Sequence, residues 1–269
     1  MSEAIVVRDL DVDFSKVPRF WLYGNATATA ISNGVNMLFP HGERFFVRSV
    51  KHYLDQIDDP ILRGQVKAFF GQEGRHAHAH DRFNQILRDQ GYEIDRFIEG
   101  YKKLSLWLES KTPPKFRLAV TAAAEHFTAI MAEGAFNQDV LDSCAPEMRQ
   151  LLAWHAAEEI EHKAVAFDVL QKIDPSYALR IGGLFYAAAT LGGFWAWGAI
   201  TLLRQDKVSF RTAVKDMNSE RKRDPIIRRV FLRGIRQYLR RNFHPNDNDD
   251  KQLAAEWFAA RGMQMPEAA

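Results

Sequence analysis

The sequence predicts an all-α fold, and three observations carry that expectation. Amphipathic segments with helical spacing of apolar residues follow one another along most of the chain. Prolines and glycines divide them at helix-length intervals. No sustained period-two apolar run is bounded by turn residues, so strand signals are nearly absent.

The elements follow in order. Residues 1–24 are mixed in character, with Pro18 and Gly24, and read as an irregular or short-strand lead-in. Helical character begins at Asn25, is interrupted at Pro40 and resumes to Ile57. Asp58-Asp59-Pro60 is a stop followed by a start, since proline suits a first helical turn. The next helix covers about residues 61–89 and stops at Gly91. Residues 92–110 form another, closed by Thr112-Pro113-Pro114. A long helix spans roughly residues 115–133, where Gly134 and the stretch to Pro146 break it. A further helix runs over about 146–173, and Asp174-Pro175 opens a more apolar one. The chain thus divides into a lead-in (1–24), a helical bundle (25–174) and additional C-terminal helices (175–269) packed on the bundle or a membrane.

Bulk properties exclude several function classes. A chain of 269 residues with 46% apolar and 26% charged residues can bury a large core. A net charge of +2 gives no global field toward nucleic acid. The single cysteine, Cys144, allows neither an intrachain disulfide nor a Cys-based zinc site, and its neighbours place it in an interhelical loop. The N-terminus lacks a basic region followed by an apolar core, so the expected location is cytoplasmic.

Residues 181–203 contain no charge, five glycines and two tryptophans, between Arg180 and Arg204. That length would span a bilayer. However, residues 204–241 hold 13 Lys/Arg against 4 Asp/Glu, so a single span would export the folded N-terminal part without a signal. A buried or homodimer-interface helix, a membrane-surface helix and a span are the three readings. The basic amphipathic stretch 219–241 reads either as packed on the bundle or as lying on anionic lipid at the inner face of the membrane.

The chemistry lies in a pattern that occurs twice, Glu73-Gly-Arg-His76 and Glu159-Ile-Glu-His162. A carboxylate and an imidazole at i, i+3 share a helix face. Each pair follows a lone glutamate about one helix out and one back, Glu43 and Glu125. Glu125 lies in TAAAEHFTAIM, where small neighbours let helices approach and a charge is poorly tolerated unless paired or bound to metal. The six side chains suffice for two metal ions in the core of a four-helix bundle. Four carboxylates and two imidazoles suit iron or manganese, with zinc less favoured in the absence of thiolates. His80 and His155 continue the two faces, and Glu158 falls nearby, as extra ligands or as partners that orient ligands. Asp81, Asn84 and Asp168 are further orienting candidates, whereas His78 and Glu161 read as solvated.

The stretches FPHGERFF, QEGRHAHAHDRFN, AAAEHFTA and WHAAEEIEHKAVAFDV resemble a bacterial family described as predicted metal-dependent hydrolases. The six ligand positions resemble the ferritin-like di-iron superfamily. That resemblance implies a ferritin-like four-helix bundle in which Glu73 and Glu159 bridge two ions and Glu43 and Glu125 are terminal. On ligand type, the expected function is oxygen-dependent oxidation of a small hydrophobic substrate, with an electron-donor protein as partner. The alternatives are hydrolysis by a hydroxide held between two metals and ferroxidase-type iron handling without an organic substrate.

Overall fold

The computed structural model describes residues 5–137, 140–223 and 228–263. Among these residues there is no strand, only an isolated bridge between Leu22 and Cys144 that pins the lead-in to the loop before the sixth helix. Asn25 caps α1 (Ala26–Asn36) by accepting the Ala28 N–H. Pro40 does not interrupt a helix. It lies in the first turn of α2 (Phe39–Lys51), where its missing N–H leaves no bond unmade. Asp59 caps α3 (Pro60–Asp89), which ends beside Gly91 at a φ of +86°.

α4 (Asp95–Lys111) is followed by α5 (Pro114–Asn137), which continues through Gly134. Glycine costs a helix interior only about 1 kcal/mol, and the buried face around Ala129, Ala132 and Gly134 outweighs it. The single helix expected over 146–173 is two, α6 (Pro146–His162) and α7 (Val165–Ile173). Lys163 sits in the break. It is fully buried, donates from Nζ to the Asn248 carbonyl at 2.8 Å and pairs with Asp250. A buried ammonium needs those partners, and the helix yields there to reach them.

α8 (Tyr177–Gln205) and α9 (Phe210–Arg223) follow. A π-helical turn (Arg228–Arg233), α10 (Gly234–Tyr238) and α11 (Lys251–Ala259) complete the described chain. α2 packs on α3, α5 on α6, α2 on α5 and α3 on α6, so the four helices carrying the two Glu-x-x-His pairs and the lone glutamates touch in a closed ring. Two apolar clusters flank that ring. One joins the lead-in, α6 and α11, and the other joins α2, α5, α7 and α8.

α8 is long and apolar enough to cross a membrane by length and composition, a test that core helices also pass. One face packs along α1 and α5. A Cβ on Gly183 would fall 2.5 Å from the Ala119 carbonyl, so the two backbones meet with no room for a side chain. The outer face leaves Phe185, Trp197 and Ile200 exposed. Within the basic stretch 219–241, residues 224–227 lie outside the described residues. The turn before α10 and α10 itself pack on α5 and bury Val230 and Tyr238.

Gly183→Leu is expected to lower the unfolding free energy by about 3 kcal/mol or more through this backbone contact. Gly193→Ala, where nothing lies within 4 Å, should be neutral or stabilising by up to about 1 kcal/mol. Urea unfolding of both variants checks the pair.

Candidate metal centre

The closed ring brings all six side chains of the repeated pattern together. Glu43 comes from α2, Glu73 and His76 from α3, Glu125 from α5, and Glu159 and His162 from α6. His155, one turn before Glu159, joins them. All seven are buried. They form two adjoining clusters, Glu43–His76–His155–Glu159 and Glu73–Glu125–His162. Each Glu-x-x-His pair is divided between the clusters, which puts Glu73 and Glu159 at their junction. His162 Nε2 lies 3.1 Å from Glu73, 3.4 Å from Glu125 and 3.6 Å from Glu159. His76 Nδ1 lies 3.8 Å from Glu73 and 3.9 Å from Glu159.

The outer nitrogens of the histidines assign their tautomers. The Gln72 amide donates to the Val6 carbonyl and to Glu161, so its Oε1 is left to accept the His162 Nδ1 proton at 2.8 Å. His76 Nε2 lies 2.9 Å from a carboxylate oxygen of Glu158. Asn36 accepts from His80 Nδ1, and His80 Nε2 then accepts from His155 Nδ1 at 2.6 Å. Each of the three rings therefore turns its other nitrogen inward, where the neutral ring offers a lone pair. His155 Nε2 meets Glu159 at 2.8 Å and Glu43 at 3.4 Å. Both carboxylate oxygens of Glu43, Glu73 and Glu125, together with His76 Nδ1 and His162 Nε2, have no aligned hydrogen-bond partner. Thr128 supplies one donor, to Glu159. Buried acceptors facing acceptors are costly without a cation between them. The residues present fit divalent metal ions, and their hard, borderline character leaves iron, manganese and zinc open.

The proton affinities reflect the same crowding. Burial, reinforced by neighbouring glutamates, raises Glu43, Glu73 and Glu125 above the ordinary carboxylate value. Glu159 is held well below it; burial opposes this, but His162 and His155 outweigh burial. His162 is raised well above the usual imidazole range because the surrounding carboxylates outweigh its burial. Burial, aided by neighbouring imidazoles, holds His76 and His80 well below that range. Burial pushes Glu158 up to about 8, against the pull of Arg8.

Further out, the sequence reading needs correction. Glu161 is not solvated. It pairs with Arg8 at 2.9 Å and accepts from Gln72 at 2.7 Å. Arg8 also reaches Glu158 at 3.4 Å and stacks on the Phe258 ring at 3.6 Å. A polar arc therefore runs from His162 through Gln72, Glu161, Arg8 and Glu158 to His76. Asp81 turns outward to Arg44, because it lies one residue off the ligand face. Asp168 lies on α7 and bonds His244 at 2.8 Å, away from both clusters, nine residues past Glu159 and so half a helical turn off its face. Asn84 is buried and accepts from Asn36 at 3.3 Å, two steps behind His80. Gln72, Arg8 and Asn36 were missed. The signal available was only that Gln72 precedes Glu73 on a helix.

Two cavities adjoin the clusters. One, of about 70 Å³, is lined by Glu43, Thr128 and Phe39, by Leu104, Ser105 and Leu108 of α4, and by Tyr186, Ala187, Thr190 and Leu191 of α8. The other, of about 120 Å³, is lined by Asn36, His155, Glu159, Leu152 and Val230. They share Val35, Phe39, Thr128 and Met131. Phe39 packs against both His80 and His155.

A family model described as predicted metal-dependent hydrolase matches residues 6–249. The chain belongs to this metal-dependent hydrolase family. The matched range takes in every residue of both clusters and the Arg8 arc, up to but not including Asp250 and Phe258. Comparison with curated proteins and with solved structures gives no match. The family description agrees with metal dependence and with hydrolysis, the alternative in the sequence reading, ahead of oxidation.

Two outcomes are expected. In metal-free protein, Glu43, Glu73, Glu125 and His162 hold protons that the unfolded chain releases. Stability therefore falls as pH rises above their ordinary values through the folded ones. The thermal unfolding temperature of chelator-treated protein should fall as pH rises above 6.5, where the lowered His76 and His80 no longer oppose the trend, and metal-loaded protein should not follow it. Gln72→Met should weaken metal affinity by about 10–100-fold in a chelator competition, by freeing the His162 ring.

Proposed function

We propose that the chain is a two-metal hydrolase acting on a small hydrophobic substrate in a ferritin-like helix bundle. One observation carries this reading. Carboxylate oxygens and imidazole nitrogens converge with Thr128 as their one hydroxyl donor, beside cavities with mostly apolar linings. Glu43, His76, His155 and Glu159 would hold one ion, and Glu73, Glu125 and His162 the other. Glu73 and Glu159, at the junction, would serve both. When bound, two divalent ions supply Lewis acidity toward a carbonyl or phosphoryl oxygen and lower the pKa of a water.

The chain's own residues do the rest. Gln72, Glu158 and the Asn36–His80 pair fix the three rings. Thr128 orients the Glu159 carboxylate. The His80–His155 contact offers a path for a proton between the clusters and Asn36. Phe39, Val35 and Met131 shield the centre from water and hold an apolar group beside it.

Oxygen-dependent oxidation is the second reading. The observation favouring it is enclosure, since all seven donors are buried and the cavities are lined mainly by hydrocarbon.

The test is turnover of a panel of short-chain esters and amides by protein loaded separately with Fe(II), Mn(II) and Zn(II), under argon and in air. Turnover under argon is expected, with Glu159→Ala losing both metal and activity. Activity that requires oxygen and Fe(II) would replace hydrolysis with the second reading. Absence of stoichiometric metal would overturn both.

A further inference from the structure

The outer face of α8 presents Phe185, Ala189, Gly193, Trp197 and Ile200 to solvent, spaced three or four residues apart. This stripe runs the length of the helix with no charge between Arg180 and Arg204. α9 continues the pattern with Phe210, Val214 and Met217, all exposed, Phe210 to 83%. Both helices pack on α1. Exposed apolar residues at helical spacing on two helices held by the same α1 mark a candidate interaction face.

The charges around it are sorted by sign. Arg204, Lys207, Arg211 and Lys215 are exposed, and among the described residues none of them forms an ion pair. The two acids within residues 204–216 turn inward. Asp206 accepts from Arg19 and Tyr92, and Asp216 accepts from Thr27. What remains outward is cationic and apolar, the combination that binds an anionic bilayer surface. Within residues 204–216 a second copy of the chain would bring its own four bases and two acids already bonded inward, whereas lipid phosphates answer all four. α8 is also packed along its inner face against α1 and α5, which fits a helix lying on a membrane rather than crossing it.

We propose that the α8–α9 face docks on anionic lipid and that the cavity beside Glu43 fills from that side. The same helix supplies both surfaces. Phe185 and Trp197 face outward, while Tyr186, Ala187, Thr190 and Leu191 line the cavity with Leu104 and Leu108 of α4. An apolar substrate partitioned in the bilayer thus reaches the metal centre without crossing water. The filling route rests on the proposed apolar substrate, but the docking does not.

The experiment is flotation of the full chain, metal-loaded, with vesicles of phosphatidylcholine alone or mixed with phosphatidylglycerol. Binding is expected to the mixed vesicles, to weaken with salt and to be much less to phosphatidylcholine. Arg211→Glu with Lys215→Glu should cut partitioning by about five-fold per charge removed or more. Ile200→Glu with Phe210→Glu should abolish it. Circular dichroism and metal content serve as controls in each variant. No flotation of the native chain, equal flotation on both vesicles, or flotation untouched by either double variant overturns the proposal. A native dimer that Ile200→Glu with Phe210→Glu splits, with nothing floating, assigns the face to a second copy. Loss of metal with flotation intact strikes the metal reading alone.

Discussion

Seven acceptors pointing at one another in a place closed to water form the constraint around which this fold is organised. Removing one carboxylate from water costs several kcal/mol, and here four share a site with three imidazoles. Packing alone cannot hold such a group together. The ring of α2, α3, α5 and α6 fixes the backbones, and positive charge has to come from a proton or a metal. The carboxylates around His162 favour its protonated form and His162 favours ionised Glu159, which is the direction of the proton solution. A cation with an empty orbital is the better solution, because it satisfies several oxygens at once.

The surrounding polar groups make sense only with that requirement in view. Gln72, Glu158 and the Asn36–His80 pair take the outward protons of three rings, so that none is left to point inward. Arg8 balances Glu158 and Glu161 at the edge, where a guanidinium can stack on Phe258 and remain paired. Phe39 lies on His80 and His155 and borders both cavities. Polar support thus lies behind the ligands and hydrocarbon in front of them. That division also leaves two chemistries physically open, with the family description placing hydrolysis first.

The all-α class and the six central side chains were legible because their signals are local. A Glu-x-x-His pair states its own geometry once it lies on a helix, and Pro60, Gly91 and Pro114 mark helix ends by backbone chemistry alone. The orienting residues were harder to find because their partners are distant. Gln72 matters through Val6 and Glu161, and Glu161 looked solvated until Arg8 arrived from the lead-in. The break at Lys163 was invisible for the same reason, since the cause is Asp250, 87 residues away. α8 was recognised as unusual, but composition could not say which of its faces was covered, and that depended on how closely Gly183 meets Ala119.

Arg8 connects the centre to the order in which the protein is made. Its guanidinium needs Glu158 and Glu161 on one side and the Phe258 ring on the other, so the polar arc behind His76 and His162 is complete only after residue 258 has left the ribosome. Lys163 waits in the same way for Asp250. During synthesis the four-helix ring is already available by residue 162, but the lid of side chains behind it is not. The segment that carries Asp250 and Phe258 thus closes the rear of the two clusters, although Asp250 lies 87 residues beyond Lys163.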